Sequence, residues 1–263
     1  MELKNQVAVI TGGASGIGAA TGKALAAKGT KVVLADMNEE GLNAVVEEIK
    51  ADGGDAIGVV TNVTLEEEVS NLMDKALEAY GAINIVLPSA GIFKDAFFIS
   101  PDRETGKVRK TMSTDQFMAV IQVNLLGTFL TLREAAARMI DHGCKGVLFT
   151  VSSINKEGQP GQLNYSSTKA SVALWPKILG GEFHAKGIND IRVVGIAPGY
   201  VRTPILEAMK PEVLDSIVKD VAIGRLVDPA EIVDTIEFAV KNEAITGTTL
   251  EVSGGVMSKG LVK

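Results

Sequence analysis

The stretch Val7-Ala8-Val9-Ile10-Thr11-Gly12-Gly13-Ala14-Ser15-Gly16-Ile17-Gly18 decides the fold. Its apolar run is continuous rather than alternating, which suits a strand buried on both faces of a parallel sheet. The glycines let the backbone turn tightly before a helix opens. Gly12, Gly16 and Gly18 permit close approach of main chain to a pyrophosphate and of helix to sheet, in the strand–turn–helix order that a dinucleotide site requires. A flexible turn is the plain alternative, and the flanking strand and helix weigh against it.

Outward from this turn, apolar, β-branched runs recur at 31–35, 57–60, 83–87, 147–151, 191–197 and 248–252. Helical stripes lie between them. Leu42, Val45, Val46 and Ile49 form one. Leu65, Val69, Leu72, Met73 and Ala76 form a second, which Thr64 and Glu67 would open as a capping box. Ile232, Ile236, Ala239 and Val240 form a third, after the helix start at Asp228-Pro229. The pattern predicts one domain over 1–263, an α/β fold with a Rossmann-type, doubly wound, seven-stranded parallel sheet and helices on both faces.

Two segments break the rhythm. Residues 93–113 are polar and basic and read as an inserted loop or hairpin turning near Thr105-Gly106. Residues 200–226 hold Ile205, Leu206, Met209, Val213, Leu214, Ile217 and Val218 and read as a short amphipathic helical lid.

Composition narrows the function classes. The 263 residues are 46% hydrophobic and 22% charged, an ordinary globular balance. Lys and Arg number 26 against 32 Asp and Glu, so the net charge of −6 lacks the footprint of a nucleic-acid binder. One cysteine, Cys144, cannot form an intrachain disulfide, and His142 and His184 make no metal cluster. No apolar run approaches the roughly 20 residues of a membrane span, and residues 1–6 are too short and polar for a secretion signal. The expectation is a cytoplasmic protein with no membrane partner and no metal.

Asp36 ends the second strand, 18 residues beyond Gly18. An acid there can accept hydrogen bonds from both adenosine ribose hydroxyls and would repel a 2′-phosphate. Met37 and Asn38 are neutral and the glycine turn holds no arginine, so the reading is NAD(H) over NADP(H). A solvated strand-end acid is the bland alternative.

Tyr165-Ser166-Ser167-Thr168-Lys169 sets a phenol and an ammonium four residues apart on one helical face. A free phenol has a pKa near 10, and a nearby cation favours phenolate and fits it for proton transfer. Ser152 and Ser153 end the fifth predicted strand, and a hydroxyl there could hold a substrate oxygen beside the phenol. The strand pattern favours Ser153, with Ser152 as the alternative.

The ordered set resembles the short-chain dehydrogenase/reductases over nearly the whole chain. It comprises the glycine turn 11–18, Asp36, Asn124 in Val123-Asn124-Leu125-Leu126-Gly127, Ser153, Tyr165 and Lys169. It continues through Pro198-Gly199 with Thr203, Gly224-Arg225 before Pro229-Ala230-Glu231, and Thr246-Gly247 before Ser253-Gly254-Gly255. Within the family it looks most like bacterial 3-oxoacyl-(acyl-carrier-protein) reductases and relatives that oxidise 3-hydroxyacyl-CoA.

The resemblance implies an NAD-dependent oxidoreductase acting on a secondary alcohol or ketone. Tyr165 would be the general acid or base. Lys169 would lower the phenol's pKa and bond the nicotinamide ribose. Ser153 would orient the reacting oxygen, and Asn124 would hold a water linking Lys169 to solvent. It also implies cofactor contacts from Gly12, Ser15, Gly16, Ile17, Gly18, Asp36, Met37, Asn62, Val63, Ala90, Gly91, Pro198, Gly199, Val201 and Thr203. The implied substrate is a 3-hydroxyacyl or 3-oxoacyl thioester, and the implied assembly a homotetramer. A steroid, sugar or polyol dehydrogenase would use the same machinery, and a non-catalytic NAD-binding regulator is the rival outside enzymes.

The chain also departs from the family. Pro88-Ser89 stands where Asn-Asn is common, and Asn62 stands where an aspartate usually meets the adenine amino group, its amide oxygen still able to accept. Trp175-Pro176 falls inside the helix of Tyr165 and predicts a kink there; the tryptophan is either core or subunit contact. Phe93, Phe97 and Phe98 with the lid residues would line an apolar channel, Gln162 and Leu163 would face the substrate, and Lys107, Arg109 and Lys110 could receive a carrier phosphate.

Overall fold

The computed structural model of the chain describes residues 1–203, 206 and 209–256. Ile205 of the expected lid lies outside them. Seven parallel strands form one sheet: β1 Val7–Thr11, β2 Lys31–Asp36, β3 Asp55–Val60, β4 Ile85–Pro88, β7 Gly146–Val151, β8 Ile191–Pro198 and β9 Thr248–Val252. Their order is β3-β2-β1-β4-β7-β8-β9. The chain winds outward one way from β1 and the other way from β4, so a crevice opens where the winding reverses. β5 Ile99–Pro101 and β6 Val108–Thr111 pair antiparallel as a separate hairpin, with its turn in the predicted place.

Alternate residues of each strand feed two cores. Ala8 and Ile10 of β1 face a core with α1 (Gly16–Ala27), α2 (Glu39–Ala51) and α8 (Pro229–Lys241), and Val7 and Val9 face the other. That second core takes α3 (Glu66–Tyr80), α5 (Gly127–Asp141) and α6 (Leu163–Ala185). Helices therefore cover both faces, as the unbroken apolar runs require. Asp228 opens α8 with a capping box to Glu231, and Arg192 of β8 donates to the carbonyls of Ala239, Val240 and Ile245 at its far end. A cation is favourable at a helix C-terminus.

One local expectation changes. Thr64 does not cap α3: its N–H and hydroxyl donate to Asn62 Oδ1 at 3.0 and 2.8 Å, and Leu65 holds the cap position without a side-chain bond. The tight asparagine turn outcompetes the capping box. Helix α6 runs through Pro176, where Thr249 Oγ1 of β9 donates to the Ala173 carbonyl at 2.8 Å, in the turn the proline disturbs. Trp175 is half-buried against the second core.

α4 (Thr114–Val120), a π-helical turn (Ile121–Leu126) and α5 join into a run, Thr114–Asp141, that by length and mean hydropathy of 1.2 could cross a membrane. It flanks the sheet instead. Leu130, Leu132, Ala135 and Met139 enter the second core, and Arg133 and Arg138 pair with Glu66 and Asp74 of α3.

Candidate active site

A cleft of about 740 Å³ opens at the winding reversal, along the C-terminal ends of the strands. At one end lies the glycine turn. Gly12 has φ +69°, and a Cβ there would come 2.7 Å from Ala90 N, so only glycine lets the turn approach the end of β4. Gly18 works from behind, where a Cβ would meet Gly12 O at 2.2 Å. It holds the helix close to the turn and does not line the cleft. Asp36 Oδ2 accepts from Ala14 N at 3.1 Å and Oδ1 from Asn38 N at 3.0 Å. The carboxylate thus braces the turn, and each oxygen keeps a further lone pair for a ligand.

Gly12, Ser15, Gly16, Ile17, Asp36, Met37, Asn62, Val63, Ala90, Gly91, Pro198, Gly199, Val201 and Thr203 all line this cleft. Asn62 is turned from its expected task. Thr64 takes both acceptor positions of its amide oxygen, so an adenine amino group finds no acceptor there in this conformation. At the altered Pro88-Ser89, Ser89 N donates to Thr11 O at 3.1 Å, so main chain closes this end of the sheet. A tight glycine cradle beside a strand-end carboxylate fits the pyrophosphate and ribose of a dinucleotide.

The other end gathers the reacting groups. Tyr165 and Lys169 enter from α6, and Ser153 follows β7. The Ser153 hydroxyl lies close enough to the Tyr165 phenol to act on its pKa and accepts from Asn155 N at 3.1 Å, whereas Ser152 Oγ turns away and donates to the Lys169 carbonyl at 2.7 Å. Lys169 Nζ lies 5.4 Å from the Tyr165 ring centroid and donates to Val151 O at 2.7 Å. Burial holds this ammonium down to about 8.

The phenol is not depressed as the spacing implies. Burial pushes it up to about 12; the Ser153 bond acts the other way, and the Asp95 charge adds to the rise. Desolvation outweighs the Ser153 contribution.

Asn124 is buried in the π-helical turn and does not line the cleft. Its Oδ1 accepts from Ile92 N at 2.8 Å and its Nδ2 donates to Ile92 O at 3.0 Å, while its own carbonyl accepts from Thr128 Oγ1 at 2.8 Å. The side chain therefore fixes the segment that carries Phe93.

Phe93 lines the cleft with Leu206, Met209 and Ile217 of the lid region, where α7 (Pro211–Lys219) is exposed. Phe97, Phe98 and Leu163 lie instead in a separate groove beside the hairpin, and Lys107, Arg109 and Lys110 stand on the exposed hairpin outside the cleft. Three polar residues join the substrate end without having been singled out in the sequence: Asp95, Asn155 and Gln159, beside the expected Gln162. Asp95 sits on irregular chain and carries no periodic signal.

A family model described as short chain dehydrogenase matches residues 6–213. The chain belongs to the short-chain dehydrogenase family. A 3-oxoacyl-[acyl-carrier-protein] reductase of Thermotoga maritima is 30% identical, over 98% of this chain and 100% of its own. A 2,5-dichloro-2,5-cyclohexadiene-1,4-diol dehydrogenase of Sphingobium indicum is 34% identical, over 96% of each chain. A solved 7α-hydroxysteroid dehydrogenase, complexed with NADH and 7-oxo glycochenodeoxycholic acid, superposes with a TM-score of 0.85 at 29% identity, covering 98% of this chain and 96% of that one. This short-chain dehydrogenase is thus an oxidoreductase, of a family whose relatives act on CH–OH and keto groups.

Proposed function

We propose that this short-chain dehydrogenase interconverts a secondary alcohol and a ketone with NAD(H). The observation that carries the reading is one cleft holding the Asp36-braced glycine turn at one end and Ser153, Tyr165 and Lys169 at the other. NAD(H) supplies the hydride chemistry at its nicotinamide ring. Ser153 holds the substrate oxygen, Tyr165 gives or takes its proton, and Lys169 adds positive charge beside the phenol and a donor for the cofactor's ribose. Asn124 acts through the backbone at Ile92. Asp36 favours NAD(H) by accepting from ribose hydroxyls and repelling a 2′-phosphate. A solved relative with NADH bound supports that choice.

A 3-oxoacyl or 3-hydroxyacyl thioester is the substrate that the Thermotoga relative supports. A diol or polyol is the second reading, favoured by the carboxylate of Asp95 at the substrate end. The proposed assembly is a homotetramer. Leu174 and Ile178 of α6 and Phe129 and Ile140 of α5 supply exposed apolar surface for it, and a monomeric solution mass at micromolar concentration would refute it.

The test follows NADH absorbance with acetoacetyl-CoA and with a panel of alcohols, in wild type and Tyr165→Phe. Turnover that vanishes in the variant while NADH still binds supports the reading. Retained turnover removes Tyr165 from the role.

A further inference from the structure

Resting on the alcohol–ketone reading and taking its diol or polyol branch over the thioester, we propose that the substrate carries a second hydroxyl near the reacting carbon and that Asp95 accepts its hydrogen bond. The enzyme then oxidises a diol or polyol in preference to a simple alcohol.

A row of hydrogen bonds leads from the reacting centre to this carboxylate. Ser153 Oγ accepts from Asn155 N at 3.1 Å, Asn155 Nδ2 donates to Gln162 Oε1 at 2.7 Å, and Gln162 Nε2 donates to Asp95 Oδ2 at 2.8 Å. A carboxylate only accepts, so it obliges Gln162 to present its NH2 group. Gln162 then presents oxygen to Asn155, whose NH2 group must face it. Asp95 Oδ1 and Asn155 Oδ1 remain as acceptors in residues that line the cleft, beside the second N–H of Gln162 Nε2 and of Asn155 Nδ2. A hydroxyl, which both donates and accepts, suits this mixture.

Asp95 is itself exposed, and its backbone neighbours are tied to the wall of the site. Asn164, fully buried next to Tyr165, donates from Nδ2 to the Lys94 carbonyl at 3.0 Å, and Ala96 N donates to the Gly161 carbonyl at 2.9 Å. Both neighbours of Asp95 are thereby tied to the start of α6. The carboxylate and the phenol share one support, so their separation is preorganised.

Charge and shape point the same way. Lys169 is the only cation among the described residues lining the cleft, and one of its three protons goes to Val151 O. An anionic group beside Asp95 would be repelled by that carboxylate. Phe93 stacks one face on Tyr165 and is 46% exposed at the cleft, which leaves apolar surface for the C–H side of a ring. In the reaction, one carbinol loses its hydroxyl proton to Tyr165 and its carbon-bound hydrogen, with the electron pair, to NAD+. The products are a hydroxyketone, NADH and a proton.

The test compares kcat/KM for trans-cyclohexane-1,2-diol and cyclohexanol with NAD+, in wild type, Asp95→Ala and the size-matched Asp95→Asn. Binding of the diol to the chain is measured alongside by isothermal titration. Wild type should favour the diol about three- to tenfold, the range left to a hydrogen bond on an exposed carboxylate after solvent screening. Asp95→Ala should bring the ratio near one and weaken diol binding by a similar factor. Asp95→Asn, which can still offer an oxygen, should fall between. A wild-type ratio near one, a ratio unmoved by both variants, or preference for 2-aminocyclohexanol over the diol overturns the proposal while alcohol oxidation stands. Absence of turnover with either alcohol and with acetoacetyl-CoA removes the alcohol–ketone reading as well.

Discussion

The ring of Phe93 is stacked on that of Tyr165, with centroids 4.4 Å apart and planes inclined by 29°. Asn124 holds the backbone from which this contact is made, through both bonds to Ile92. Phe93 thus shares in the burial that pushes the phenol up to about 12. Phe93→Ala should admit water and lower the phenol's pKa. Alcohol oxidation needs phenolate, so its rise with pH should begin at lower pH in the variant. The pH profile of kcat/KM checks this, and an unmoved or higher profile would refute it.

The two serines have separable tasks. Ser153→Ala removes the hydroxyl that meets the phenol and should cut turnover about a hundredfold or more. Ser152→Ala removes a buried bond to the Lys169 carbonyl. It should cost about 1 kcal/mol of stability and retain most turnover. Steady-state kinetics and denaturant melts on both variants distinguish the tasks; the reverse ranking would make Ser152 the active serine.

Asp36→Ala should weaken NAD binding about ten- to a hundredfold, by loss of charged acceptors for ribose hydroxyls. It should also relax discrimination against NADP, since the repelling carboxylate is gone. Titration with both cofactors reads the ratio, and an unchanged preference would count against the assignment.

Lys169 is held at about 8, below its ordinary 10.5, so between those values the folded chain binds fewer protons than the unfolded chain. Its favourable contribution is present above 10.5 and is lost as pH falls through 8. At neutral pH the buried charge costs about 3 kcal/mol. Lys169→Met should therefore be inactive, yet more stable at neutral pH by about 1–3 kcal/mol, with the gain shrinking as pH rises. Tyr165 works in the opposite sense: its raised value makes the unfolded chain release the proton first, so stability falls between 10 and about 12. Denaturant melts across pH read both trends.

Thr150 Oγ1, on β7, is buried without a hydrogen-bond partner. Thr150→Val keeps the shape and removes the unpaired hydroxyl, so it should stabilise the fold by about 1 kcal/mol. A rise of about 2–4 °C in Tm would match. A lower Tm would mean that the hydroxyl is satisfied.

Much of the molecule was legible because its signals are local. Unbroken apolar runs announced strands covered on both faces, and all seven lie in the sheet. Thr105-Gly106 marked the hairpin turn, and Asp228-Pro229 marked the start of α8, through preferences that act within a few residues. The capping box at Thr64 was equally local and failed, because Asn62 Oδ1 takes the Thr64 N–H that the box would give to Glu67, and the Thr64 hydroxyl with it.

The sequence by itself determined the layered α/β frame, the glycine turn with Asp36, and the Tyr165–Lys169 pair on one helical face, since periodicity and short spacing specify these. Only the tertiary structure decided which serine meets the phenol, that Asn124 spends its amide on Ile92, and that Asp95, Gln162 and Asn155 form one row. Those residues come from separate segments, and no spacing rule relates them. The sign of the Tyr165 shift belongs to the same class. A lysine four residues away argued for a lowered pKa, but desolvation is summed over every atom packed around the phenol, and that sum exists only once the chain has folded.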